Sequence, residues 1–143
     1  VNVLEEMPKV DLMVLTSISE AQPLVILEAG AVGIPSVATD VGSCSELLYG
    51  RTPEDRALGA GGIVTPMASP GATAKAIIKI WEDKVLRGRM REAMRERVQR
   101  FYDQRDMVAA YHDLYHTHLA RSRKRHQAKE AEAVAAAAAE EAS

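Results

Sequence analysis

The sequence predicts an α/β fold, a parallel sheet followed by C-terminal helices, and three observations carry that expectation. Short continuous apolar runs alternate with helical segments over residues 1–65, the pattern of parallel strands joined by helical crossovers. Glycine and proline punctuate those segments at their ends. From Ala72 to about Leu119 the apolar residues recur at helical rather than strand spacing.

Leu12-Met13-Val14-Leu15, ending at Thr16-Ser17, reads as the first strand, apolar enough to be covered on both faces. A helix follows from Pro23 to Gly33, with proline suited to its first turn and Gly33 and Pro35 as stop signals. Ser36-Val37-Ala38-Thr39 is a second strand. Ser43-Cys44-Ser45-Glu46 has capping-box spacing and opens a short helix through Leu48. Gly50 to Gly62 reads as a flexible charged connection, and Gly61-Gly62-Ile63-Val64-Thr65-Pro66 as a third strand closed by its proline. Three apolar stripes come next: Ala74, Ile77, Ile78, Trp81 and Val85; Met90, Ala93, Met94, Val98 and Phe101; Met107, Ala110, Tyr111, Leu114 and Tyr115. Their spacing marks packing surfaces rather than a cofactor box. Residues 121–143, a basic cluster and then an Ala/Glu-rich tail, are expected as frayed helix or disorder. The expected organisation is therefore a sheet-bearing half over 1–70, helices of the same domain over 71–120, and a tail over 121–143.

Composition limits the function. The chain has 143 residues, with Lys+Arg 18 against Asp+Glu 20 and a net charge of -2, so no overall basic field draws it to nucleic acid. A single cysteine rules out an internal disulfide and suits a reducing cytoplasm. Val1 stands where an initiator methionine would, so the chain is expected to be a piece of a longer protein, poorly stable by itself.

Ligands of an open parallel sheet bind beyond the carboxyl ends of its strands, here Thr16-Ser17 with the loop to Pro23, and Thr39-Asp40-Val41-Gly42. Glu20 precedes the helix at that end, and Glu28 lies inside it. The helical neighbours of Glu28 are Leu24, Val25, Ala31 and Val32, all apolar, so its carboxylate is expected to be buried and in need of donors. A ribose diol would supply them; so would a distant Arg or Lys, or a neighbouring loop. The helix start at Gln22-Pro23-Leu24 presents backbone N–H groups to a phosphate, while no Lys, Arg or His lies between Lys9 and Arg51. His112 and His116 could share a metal but lack a third ligand, and Cys44 reads as an inert thiol.

Glu20 to Glu28 resembles the E-x7-E signature of retaining glycosyltransferases of family 4, which have the two-domain GT-B fold. Asp11 to Ser17 is similar to that family's strand and serine before the motif, and Gly33 to Gly42 with Glu46 to its following strand and glycine loop. Ser17 to Leu24 together with Thr39 to Cys44 looks closest to the PelF branch, cytoplasmic enzymes of Pel exopolysaccharide synthesis. The resemblance implies a Rossmann-like partial C-terminal domain and a hexosyltransferase activity in a longer chain, this part alone being inactive. It implies a UDP-sugar donor, UDP-glucose in that branch, and neither cofactor nor metal. Glu20 would be catalytic, touching the donor sugar; Glu28 would hold the ribose. Ser17 and the backbone of Ala21, Gln22 and Leu24 would complete the donor site, with Asp40 and Gly42 as loop contacts. The family's phosphate-binding Arg and Lys, the upstream part of that domain and the N-terminal acceptor domain would lie before Val1. Gly30 departs from the bulkier residue usual there, at a helix cost of about 1 kcal/mol. Two alternatives remain at this stage: a non-catalytic nucleotide-binding or interaction module on the same scaffold, and membrane-surface contact through 121–126.

Overall fold

The computed structural model describes the backbone of residues 3–141 and the side chains of 5–129. The chain has two compact units, residues 1–103 and residues 104–143. The first contains a helical turn α1 (Val3–Glu6), a short 3₁₀ turn (Met7–Lys9), β1 (Met13–Leu15), α2 (Leu24–Ala31), β2 (Ser36–Thr39), α3 (Cys44–Tyr49), α4 (Pro53–Arg56), β3 (Gly62–Thr65), α5 (Pro70–Glu82) and α6 (Lys84–Phe101). The second is one long helix, α7 (Gln104–Glu141), which continues through the segment expected to fray.

The three strands pair in parallel in the order β1-β2-β3, with Val14 opposite Val37 and Val37 opposite Ile63. Successive residues of a strand face opposite sides, and β2 shows this in its packing. Ala38 joins Ile26, Cys44, Leu47, Leu48 and Met94 on one side, whereas Val37 joins Ala76, Ile80 and Met90 on the other. The sheet therefore lies between α2 and α3 on one face and α5 on the other, with α6 contributing to both cores. Every residue of β2 is buried, as a central parallel strand should be. The approach of β3 is so close that a Cβ on Gly62 would lie 1.9 Å from the Ser36 carbonyl oxygen.

Gly30 acquires a reason. A Cβ there would sit 2.4 Å from Met94 Cε and 3.1 Å from Val98, so its bare backbone is where α2 receives α6. Of the second stripe, Met90, Ala93 and Met94 are buried and Val98 half-buried, while Phe101 at its end is exposed; the stripe ahead of it is mostly exposed. Asp83 ends α5 and caps α6 by accepting from Leu86 N–H at 2.8 Å. That break turns Ala76 and Ile80 inward and leaves Ile78, Trp81 and Val85 exposed. Met107, Tyr111, Leu114 and Tyr115 on α7 are also more than half exposed. Among the described residues no helix is long and apolar enough to cross a membrane.

Candidate donor-binding site

Three strands end at one mouth of the sheet, at Leu15, Thr39 and Thr65. The loop after β1 is held there by the loop after β2. Thr39, buried at the end of β2, donates its hydroxyl to the Ser17 carbonyl at 2.5 Å. The Ser17 hydroxyl donates to Glu20 Oε1 at 2.7 Å; a carboxylate can only accept, so the direction of this bond is fixed. Gly42 has φ +53°, and a Cβ on it would fall 2.3 Å from the Glu20 carbonyl oxygen and 2.7 Å from that of Ala21. Ser43 N–H then donates to the Ala21 carbonyl at 3.0 Å. Glycine is needed here on two counts, the left-handed backbone and the contact.

Of the residues expected at the site, Ser17, Glu20, Ala21 and Gly42 are thus joined by direct contacts. Glu20 and Ser17 are half-buried, and Ala21, Gln22 and Asp40 are exposed beside them. Helix α2 begins at Leu24 with Pro23 as its N-cap and no side chain capping it; Ile26 N–H turns back to the Pro23 carbonyl at 3.2 Å, and no side chain competes for the N–H groups of Leu24 and Val25 ahead of it.

Glu28 corrects the sequence reading: it is exposed, not buried. Ile26, Ala29 and Gly30 form the inward side of α2. Leu24, Glu28 and Ala31, spaced i, i+4 and i+7, form one outward ridge, with Leu24 64% exposed. Apolar neighbours along the helix predicted burial, but tertiary packing covers only one side of it. Glu28 therefore stands about 6 Å along the axis from Leu24, one helical turn behind the open N-terminus.

The expected capping box does not form. Ser43 caps α3 by position only, with φ −92° and ψ 12°, and its buried hydroxyl finds no partner. Its backbone is committed to Ala21 instead. Cys44 is buried at the start of α3, and its thiol is pushed above the ordinary value. Desolvation is the main cause, with the negative charges of Glu20 and Asp40 adding to it. His112 and His116 are exposed on α7 with their Nε2 atoms 3.1 Å apart. No group of three or more metal-ligating side chains occurs among the described residues. Open concavities lie along α7 and between Leu58, Gly59 and Ala60 and α6. The strand-end mouth is distinguished by its hydrogen bonding rather than by its depth.

One charged cluster escaped the sequence reading. The segment expected as a flexible connection contains α4, with Thr52 accepting from Asp55 N–H at 3.3 Å. Asp55 is buried, and Arg97 of α6 reaches it through Nε at 2.5 Å. The same guanidinium donates to the carbonyls of Leu48, Asp55 and Gly59 at 3.0, 3.0 and 2.7 Å. The sequence signal was the spacing of Arg97 within the Met90, Ala93, Met94 stripe, which aims an arginine at the core.

Residues 1–98 match the family described as Glycosyl transferases group 1. The chain belongs to that family. Among its relatives is N-acetyl-alpha-D-glucosaminyl L-malate synthase of Bacillus anthracis, 31% identical over 116 residues, which are 80% of this chain and 28% of that protein. Another is TuaC of Bacillus subtilis (strain 168), named for teichuronic acid biosynthesis, 31% identical over 107 residues, 75% of this chain and 25% of that one. The fold is similar to sucrose-phosphate synthase from Thermosynechococcus elongatus, with TM-score 0.71 and 26% identity over 82% of this chain and 28% of that one. The chain, with its GT-B-like fold, spans about a quarter of the length of the relatives it matches.

Proposed function

We propose that this chain carries the nucleoside half of the donor site of a retaining hexosyltransferase, with UDP-glucose as donor. The observation that carries the reading is the pairing of a fixed Glu20 with an outward-facing Glu28 across an uncapped helix start. Glu20 accepts hydrogen bonds from the donor sugar. Glu28, a turn deeper on the same ridge as Leu24, accepts from the ribose diol. The N–H groups of Ala21, Gln22 and Leu24 meet the diphosphate, where the positive end of the α2 dipole favours the leaving charge. Asp40 and Gly42 close the loop side. Ser17, Glu20 and Glu28 are all oxygen acceptors suited to hydroxyls. No cation lies between Lys9 and Arg51, so other parts of the complete protein neutralise the diphosphate. The acceptor is a polysaccharide or another hydroxyl compound, in the manner of the PelF branch, and the work is cytoplasmic.

Glu28→Gln, made in the complete protein that contains this sequence, tests the reading. UDP affinity by calorimetry is expected to fall at least tenfold, because a hydrogen bond to a charged acceptor contributes about 1.5–3 kcal/mol. Unchanged affinity overturns the ribose role. Glu20→Gln is expected to lower kcat for glucose transfer more than it weakens UDP binding. The dearth of cations favours one second reading, a non-catalytic nucleotide-binding module. UDP binding without any transferase turnover would establish it.

A further inference from the structure

We infer that Ser17 is a positioning residue for Glu20, held in turn by Thr39, so that β2 fixes the orientation of the carboxylate that meets the donor sugar. This rests on the donor-site reading above.

Two hydrogen bonds meet at Ser17, one to its backbone and one from its side chain. Thr39 is buried at the end of the central strand, the most completely covered element of the sheet. Its hydroxyl fixes the Ser17 carbonyl at 2.5 Å. Ser17 spends its single hydroxyl proton on Glu20 Oε1 at 2.7 Å. Gly42 and Ser43 press and tie the backbone of Glu20 and Ala21 from the opposite side. A glutamate in a loop ordinarily samples several rotamers; this one is fixed at both ends, by its backbone and by one carboxylate oxygen. The second oxygen accepts no hydrogen bond from the described residues and remains available to a substrate hydroxyl. Ser17, with its proton committed, can accept from a ligand but not donate to it. Its contribution is therefore to hold Glu20 rather than to bind the leaving group, and holding a reacting geometry acts on kcat.

The test is a set of variants in the complete protein, read by kcat, KM for UDP-glucose and UDP affinity. Ser17→Ala is expected to lower kcat roughly tenfold or more with UDP affinity within about twofold of the parent. Ser17→Thr, which keeps the hydroxyl, should recover most of that loss. Thr39→Val removes the bond to Ser17 while keeping shape and burial, and should lower kcat in the same sense. In a Glu20→Gln background, Ser17→Ala should produce no further loss, since the two groups act as one. A normal kcat in Ser17→Ala beside a slow Glu20→Gln overturns the positioning role and leaves the donor site standing. A normal kcat in both removes the donor-site reading itself. Loss of UDP affinity at unchanged kcat would make Ser17 a binding group instead, and full additivity in the double variant would also overturn the inference.

Discussion

Helices α2 and α6 reverse the usual relation between composition and burial. Helix α2 is apolar almost throughout, yet its one carboxylate, Glu28, faces outward. Helix α6 is dense in charge, yet it places Arg97 in the core with no exposure at all. The difference lies in the partners rather than in the helices. Arg97 finds a carboxylate and three carbonyls within reach, enough to satisfy most of a guanidinium. Two further arginines of α6 serve backbone oxygens at the end of α2: Arg91 at the Gly33 carbonyl, 2.9 Å, and Arg95 at that of Val32, 3.4 Å. Glu28 meets no such partners among the described residues and stays exposed. A buried charge here is a clamp; an exposed one is an opportunity for binding.

The sharpest way to break that contrast is at Arg97. Arg97→Ala leaves Asp55 buried without its cation, and urea titration of the complete protein that contains this sequence should show a loss of about 3–5 kcal/mol. A loss below about 1 kcal/mol would show that the clamp is not structural. Gly42→Ala comes next, because it forces a left-handed alanine against the Glu20 carbonyl. A loss of about 1–3 kcal/mol is expected, and an unchanged urea midpoint would mean that the two loops are not locked together.

A smaller effect separates the mouth from the core by pH. The Cys44 and Tyr102 groups are both raised above their ordinary values, mainly by burial. The unfolded chain therefore gives up these protons before the folded one does. The stability they contribute is complete below the ordinary values of 9.0 and 10.0 and is lost as pH rises past them. Urea midpoints should fall from pH 8 to pH 10, less steeply in Cys44→Ala, and the native thiol should resist disulfide reagents at pH 8. Rapid labelling under native conditions would contradict its burial. Glu28→Gln should change the urea midpoint least, by under about 0.5 kcal/mol, since an exposed carboxylate without partners contributes little to folding. A larger loss would sink the comparison, for it would mean that Glu28 is structural after all.

The strands β2 and β3, the helix start at Pro23 and the mouth of the sheet could be read from local signals, because runs of apolar residues bounded by Gly and Pro encode them directly. The contacts within the mouth could not. That Ser17 reaches Glu20 depends on Thr39, which is 22 positions from it, and that Gly42 supports the same loop depends on two backbones meeting in space. Helix α4 was hidden by composition. Pro53-Glu54-Asp55-Arg56 carries its own N-terminal signals, a Thr52 cap and proline in the first turn, but its reason to be ordered lies 42 positions away in Arg97. Glu28 illustrates the converse: its neighbours along the helix do not describe its surroundings, because a helix packed on one side leaves the other open.

The Arg97 clamp has a consequence for motion. The stretch from Gly50 to Gly61 is polar, charged and on the surface, the composition of a segment that opens freely. Its amides are nevertheless engaged: Arg51 N–H with Asp55 Oδ2 at 3.0 Å, Arg56 N–H with the Thr52 carbonyl at 2.9 Å, and Gly61 N–H with that of Leu48 at 2.7 Å. Because Asp55 and the Leu48 carbonyl, which accept two of these bonds, are also held by the Arg97 guanidinium, these bonds should break together and not one at a time. In hydrogen exchange the segment should behave as part of the same cooperative unit as α3 and α6. A loop by composition thus has the opening kinetics of the core.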